Sequence, residues 1–315
     1  MIDLSIIIPV FNEEKNIPVL VTRLRQVLLA LNLNTEMVFV NDGSRDNTIG
    51  KIKELAKEDP TIKYIDFSRN FGHQVAVSAG LDYCRGEYIA IIDADLQDPP
   101  ELIIEMFAKM KEGFEVVYAR RRSRAGESFM KKYTARMFYR ILSSITAIDI
   151  PLDTGDFRIV HRKIVDVLKQ MPEQQKFLRG QISWAGFHQT FIEYDREERH
   201  AGETGYNYKK MMRFAMDGIT SFSNLPLKFA TALGFMVSFI SFFFALYALY
   251  SRFISKSYVP GWTSLMLVVL FIGGVQLVCI GIIGEYISRL SANVRNRPLY
   301  IVDDTNFAKQ KETGS

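Results

Sequence analysis

Short continuous apolar runs alternate along the first part of the chain with longer stretches in which apolar positions recur every third or fourth residue. Leu4–Val10 is such a run, rich in β-branched residues. From Asn16 to Leu31 the apolar residues Ile17, Leu20, Val21, Leu24, Val27, Leu28 and Leu31 then fall on one helical face. Met37–Val40, Ile62–Phe67, Tyr88–Asp93 and Val116–Ala119 read as further strands, with a helix-like run to Cys84 after the third strand. Apolar strands separated by amphipathic helices predict an α/β fold built on a mainly parallel, doubly wound sheet.

Each predicted strand ends in a polar cluster. These are Pro9-Val-Phe-Asn-Glu13, Asn41-Asp-Gly-Ser44, Ser68-Arg-Asn-Phe-Gly-His73, Asp93-Ala-Asp-Leu-Gln-Asp98 and Arg120-Arg-Arg122. A parallel sheet brings all such ends to one edge, where open α/β sheets bind their ligands. Neither a Gly-x-Gly-x-x-Gly nor a Gly-x-x-x-x-Gly-Lys motif occurs, so a dinucleotide fold or a P-loop has no support.

The later part of the chain follows another pattern. Two uncharged apolar runs, Phe229–Ser251 and Ser257–Gly284, each exceed the about 20 residues needed to cross a bilayer. Between the last predicted strand and the first run, Tyr206–Phe222 mixes Met211, Met212, Phe214 and Ile219 with Lys209, Lys210 and Arg213, the composition of a helix lying in the headgroup region. The predicted organisation is a catalytic domain over 1–204, interfacial amphipathic helices over 205–226, two transmembrane helices over 227–290, and a polar, partly flexible tail over 291–315. Lys209, Lys210, Arg213 and Lys228 precede the first span and Arg289, Arg295 and Arg297 follow the second, against Arg252 and Lys256 between them. That asymmetry places the domain and both termini in the cytosol. Met1-Ile2-Asp3 leads directly into a strand-like run, so no signal peptide is expected. Gly273, Gly274, Gly281 and Gly284 permit close helix packing, within the hairpin or between subunits of a homo-oligomer.

Composition adds little. A net charge of +4 with basic residues grouped after Val117 and beside the apolar runs gives no reason to expect nucleic acid as a partner. Cys84 and Cys279 lie in different regions and outside any Cys-x-x-Cys pair, which excludes a disulfide framework or a zinc site.

The chemistry concentrates at Asp93-Ala94-Asp95. Carboxylates at i and i+2 of an extended chain point the same way, so Asp93 and Asp95 can share one hard cation, with the Gln97 amide oxygen a third ligand. The same residues can instead cap the helix that begins near Glu101. Asp42-Gly43 reads either as a tight turn or as a carboxylate offered to a ligand N–H.

Ile8-Pro-Val-Phe-Asn-Glu13, Asn41-Asp-Gly-Ser44, Asp93-Ala-Asp-Leu-Gln-Asp-Pro-Pro100 and Thr154-Gly-Asp-Phe-Arg158 together resemble the inverting GT-A glycosyltransferases of family 2. Asp217-Gly-Ile-Thr-Ser-Phe-Ser-Asn-Leu-Pro-Leu227 followed by two spans is similar to the polyisoprenyl-phosphate branch, which includes the bactoprenol glucosyltransferases and dolichol-phosphate mannose synthase. The resemblance implies a Rossmann-like GT-A domain that moves one sugar from a nucleotide sugar to a polyprenyl (undecaprenyl) phosphate at the inner face of the plasma membrane. Glucose from UDP-glucose is the first expectation. Mannose and aminoarabinose are alternatives, and so is a non-catalytic transport or scaffold role for a lipid-linked sugar.

By the same resemblance Pro9, Phe11, Glu13, Asp42, Gly72, Asp93 and Ala94 bind the nucleotide sugar, and Asp93, Asp95 and Gln97 hold Mg²⁺ or Mn²⁺. Arg120, Lys131 and Arg158 receive the acceptor phosphate. Asp95 and Asp156 are catalytic, Asp156 either as a base or as the group that orients Arg158. Processive relatives carry Gln-x-x-Arg-Trp where this chain has Phe177-Leu-Arg-Gly-Gln-Ile-Ser-Trp184, which implies transfer of a single sugar.

Overall fold

The computed structural model describes residues 2–122, 154–195, 225–250, 261–295 and 297–308. The interfacial helices expected around Tyr206–Phe222, and Lys131, expected to contact the acceptor phosphate, lie outside the described residues.

The first half follows the predicted alternation. Strands β1 (Leu4–Val10), β2 (Thr35–Asn41), β3 (Ile62–Phe67), β4 (Tyr88–Ile91) and β5 (Val116–Arg121) alternate with helices α1 (Ile17–Leu31), α2 (Thr48–Glu58), α3 (His73–Tyr83) and α4 (Leu102–Lys111). Every residue of β1 is buried. Because successive side chains point to opposite faces, Ile6 and Ile8 join one core with Leu20, Leu24, Phe39 and Met106, while Ile7 joins the other with Val38, Val77, Ile91 and Ile164. A strand covered on both faces has no polar phase, which is why it reads as an unbroken apolar run.

The eight-stranded sheet has the order β7-β5-β6-β4-β1-β2-β3-β8. Strand β6 (Thr154–His161) is antiparallel and lies between β4 and β5, pairing Ile91 with Arg158 and Arg120 with Thr154. The five predicted strands are therefore not consecutive neighbours. Since β6 runs the other way, its first residues, not its last, reach the edge where the parallel strands end. Helices α5 (Arg162–Lys169) and α6 (Leu178–Trp184) and strand β7 (Gln189–Tyr194), parallel to β5, complete the domain.

Strand β4 also stops at Ile91, short of the expected Asp93. Ile92 still donates to Ile7 O at 3.1 Å, and the chain then turns through Leu96 at φ 60, where the Asp95 carboxylate accepts the Gln97 N–H at 3.1 Å. A left-handed leucine costs about 1–2 kcal/mol, opposed here by the burial of its side chain in the core.

Helices α7 (Leu225–Tyr250) and α8 (Trp262–Val294) are both long and apolar enough to cross a membrane. They pack on each other and leave Phe235, Phe239, Phe243, Val269, Leu277 and Ile280 exposed. A Cβ on Gly273, Gly274, Gly281 or Gly284 would meet nothing within 4 Å, so these glycines are not contact points inside the hairpin. Helix α8 continues past the expected end at residue 290 because no proline intervenes before Pro298.

Residues 297–308 are not a loose tail. Strand β8 (Val302–Thr305) adds antiparallel to the β3 edge, and Asn306 bridges to the Tyr64 N–H at 2.8 Å and Ile62 O at 3.0 Å. Polar composition concealed this strand, because an edge strand draws much of its stability from backbone pairing.

Gly43 shows how tightly the edge is built. At φ +66 its α-carbon faces the backbone of the next loop, and an added Cβ would stand 2.5 Å from the Arg69 carbonyl carbon. Gly43→Ala should lower stability by about 2 kcal/mol, measured as a fall in the thermal unfolding midpoint. An unchanged midpoint would mean that the Arg69 loop yields freely.

Candidate active site

The carboxyl ends of β1, β2 and β4 enclose a cleft of about 190 Å³ lined by Pro9, Phe11, Glu13, Asp42, Asp93, Ala94 and Asp95, together with His73 and Ala76. Seven residues singled out in the sequence thus share one cavity, from three loops that the parallel topology brings together. Gly72 stands beside it as the residue before α3, at φ 106. Gln97 is half-buried in the turn after Asp95 and contributes a backbone N–H to that carboxylate.

Asp42 is buried at the end of β2 and accepts from the Phe71 N–H at 2.6 Å and the Gly72 N–H at 3.0 Å. Burial raises its pKa, against these hydrogen bonds and the nearby His73 and Arg69 charges. Asn70 closes the same turn by donating its side-chain amide to Asp42 O at 3.1 Å.

Asp156 is the centre of the opposite wall. Its Oδ2 meets His73 Nε2 at 3.1 Å and Gln74 Nε2 at 3.3 Å, and its Oδ1 meets the Arg158 guanidinium at 2.7 Å and that of Arg179 at 3.7 Å. Arg158 is 1% exposed, anchored also to the carbonyls of Asp156 and Gly155. Burial opposes the charge of Asp156, but His73, Arg158 and Arg179 hold its carboxyl well below the usual range. His73 also stands 3.7 Å from Asp93 Oδ1. Burial disfavours the imidazolium, yet Asp156 and Asp93 together push its pKa up to about 9. Asp93 itself is pushed up to about 6 by burial and by Asp156, Asp98 and Asp95, against the pull of His73.

Gln74 and Arg179 were not anticipated. Gln74 sits in an ordinary helix start that marks nothing, whereas Arg179 belongs to the Phe177–Trp184 stretch quoted above against the Gln-x-x-Arg-Trp pattern. Gln74 also accepts the Leu178 N–H at 3.3 Å, so one side chain ties α3 to α6 and to Asp156. Asp98, in the same motif as Asp93, is buried beneath the cleft, where it accepts from the Tyr194 hydroxyl and faces Arg121 at 3.8 Å.

Arg120 pairs with Glu193 and its guanidinium lies 3.5 Å over the Phe191 ring, so it is engaged with β7. Among the described residues no group of three or more His, Cys, Asp or Glu side chains could enclose a metal ion. The donor set nevertheless fits a hard divalent cation. The carboxylate oxygens of Asp93 and Asp95 are hard donors, and burial, with Asp156, Asp98 and Asp95 nearby, disfavours the Asp93 charge that a cation would offset. A site with one or two protein carboxylates leaves its other positions to ligand phosphates and water.

The sheet order, the antiparallel insertion and the acid pair beyond β4 define the class as a GT-A, Rossmann-like glycosyltransferase. Residues 5–168 match glycosyl transferase family 2 and residues 225–290 match the GtrB C-terminal hairpin. The chain belongs to glycosyltransferase family 2. It is 52% identical over 310 residues to the uncharacterized glycosyltransferase YkcC of Bacillus subtilis (strain 168), covering 98% of this chain and 96% of that one. It is 40% identical over 299 residues to the SfII prophage-derived bactoprenol glucosyl transferase of Shigella flexneri, covering 95% and 97%. Among solved structures, glucosyl-3-phosphoglycerate synthase from Mycobacterium tuberculosis in complex with Mn²⁺, UDP and glucosyl-3-phosphoglycerate aligns at TM-score 0.48 and 14% identity, over 70% of this chain and 78% of that one.

Two outcomes follow from the charge cluster. Removing Arg158 takes away the nearest cation of Asp156 and leaves His73 and Arg179 as its charged partners, so Arg158→Met should destabilise the domain by about 2 kcal/mol in chemical unfolding. A folded-state His73 pKa raised from 6.5 to about 9 gives stability that is complete below pH 6.5 and lost as pH rises through 9. In chelator-treated protein His73→Gln should therefore flatten the fall of the unfolding midpoint over that window. A slope identical to wild type would exclude the pairing.

Proposed function

We propose that this enzyme transfers a single sugar, glucose from UDP-glucose, to a polyprenyl phosphate at the cytosolic face of the plasma membrane, with inversion at the anomeric carbon. The observation that carries the reading is the cleft itself. Residues selected from three separate motifs converge on it, and a relative 40% identical over nearly the whole chain is named for bactoprenol glucosyl transfer. The two membrane-length helices supply the anchor that a lipid acceptor requires.

Asp42 and the walls formed by Pro9, Phe11 and Glu13 receive the nucleoside, with Gly72 and Ala94 allowing close approach of the backbone. Asp93 and Asp95, supported by the Gln97 turn, hold Mg²⁺ or Mn²⁺ against the diphosphate. When bound, the cation neutralises the charge that develops on the departing nucleoside diphosphate. A lipid monophosphate, with a second pKa near 6, is already largely dianionic at neutral pH and needs no strong base.

That chemistry agrees with an Asp156 held strongly ionised by four donors, a poor proton acceptor but a rigid one. Its role in this reading is to hold His73 and Arg179 at the acceptor side, and Arg158 serves it from beneath. Arg120 and Lys131 are the proposed phosphate contacts, Arg120 after exchanging Glu193 for the phosphate.

Purified protein with undecaprenyl phosphate, Mn²⁺ or Mg²⁺ and a panel of sugar nucleotides should form a glycosyl lipid from UDP-glucose. Asp93→Ala and Asp95→Ala should each lower kcat by about 10²-fold or more, as should chelation of the metal. Full turnover by either variant would reject the metal assignment, and transfer to water but never to lipid phosphate would reject the acceptor.

A further inference from the structure

The chain that leaves the membrane hairpin returns to the catalytic edge before it becomes strand β8. The last turns of α8 dock on the loop before α6, where Asn293 Oδ1 accepts the Gln174 N–H at 3.0 Å and Arg289 reaches the Gln175 side chain. Tyr300 then lies flat on Phe67, with ring centroids 5.2 Å apart and planes 19° from parallel. Its hydroxyl donates to Asp82 of α3 at 2.9 Å. Ile301 O accepts the Ser68 N–H at 3.1 Å.

Phe67 is the last residue of β3, and its ring meets Phe71 edge-on at 5.6 Å. The guanidinium of Arg69 covers the Phe71 ring at 4.0 Å. Phe71 and Gly72 are the residues whose N–H groups Asp42 binds. A continuous set of contacts therefore runs from Tyr300 through Phe67 and Phe71 to the carboxylate that faces the cleft.

We propose that Tyr300 is a positioning residue for the donor site: its ring, placed by the chain leaving the hairpin, holds Phe67 and Phe71 so that the 68–72 loop stays bonded to Asp42. The catalytic consequence rests on the reading of Asp42 as a donor contact, whereas the mechanical link does not. Tyr300 touches neither the cleft nor the acids around it. Its effect passes through one loop, on the donor side, and should leave the Asp156 wall unchanged.

The test uses the full-length protein in detergent or nanodiscs and reads amide hydrogen exchange beside kinetics. Tyr300→Ala removes one stacked pair and one hydrogen bond. It should speed exchange at Ser68, Phe71 and Gly72 by about tenfold and raise the KM for UDP-glucose by about the same factor, with kcat within about twofold. Tyr300→Phe keeps the ring and should retain most of the protection and the wild-type KM. Tyr64→Phe, which loosens the β3–β8 seam at Asp304 and away from the loop, controls for general loss of the edge strand and should alter neither.

Unchanged exchange at Phe71 and Gly72 in Tyr300→Ala would overturn the link, as would equal loosening in Tyr64→Phe. Faster exchange with an unchanged KM would overturn the role in positioning the donor. Titration of UDP into Asp42→Asn separates the underlying reading: undiminished binding there rejects Asp42 as a donor contact, even where the exchange data uphold the link.

Discussion

A carboxylate ringed by cations governs the sheet edge that carries the cleft. Asp156 faces two guanidinium groups and an imidazole, and the deeper of these, Arg158, is almost wholly removed from solvent. Burying a guanidinium costs several kcal/mol unless a charge and hydrogen bonds compensate, so Arg158 and Asp156 depend on each other. The reversed direction of β6 makes their meeting possible at this edge. Had β6 run parallel to its neighbours, Thr154–Asp156 would lie at the far end of the sheet and Asp93 would face no second acid across His73.

The side of the cleft around Asp42 is built on a different principle. Asp42 is satisfied by backbone N–H groups, and the turns around it use left-handed residues, including Asn12 at φ 58, Gly43 at φ 66 and Gly72 at φ 106. Leu96 at φ 60 does the same beside the acid pair. Such conformations persist where the surrounding structure over-determines them, and two fully packed cores beneath the loops provide that constraint. Rigidity on one wall comes from charge and on the other from covalent geometry.

The apolar hairpin is joined to the α/β domain at more than one place. Helix α8 has 33 residues and is therefore about 50 Å long, well beyond the roughly 30 Å of a bilayer core. Its surplus turns reach the catalytic domain, and the following segment lies on β3 as an added strand. A helix foot and a strand fix orientation better than a flexible linker does, since each constrains a different direction.

Much of the fold was legible because its signals are local. Unbroken apolar runs at β1 and β2 and the helical period from Ile17 to Leu31 follow from burial on two faces and on one. Asp93-Ala-Asp95 stood out because acids rarely terminate such a run without a ligand or cap to serve. Strand β8 was hidden, since a polar edge strand leaves no hydrophobic period. The insertion of β6 between β4 and β5 was hidden too, because strand order depends on the packing of segments distant in the chain. The order of residues sets which side chains end each strand, and hence the chemistry available at one edge. The tertiary structure alone decided that Gln74 and Arg179 join Asp156 and that the chain beyond the hairpin returns to Phe67, because those partners are brought together by packing and not by any periodicity along the backbone.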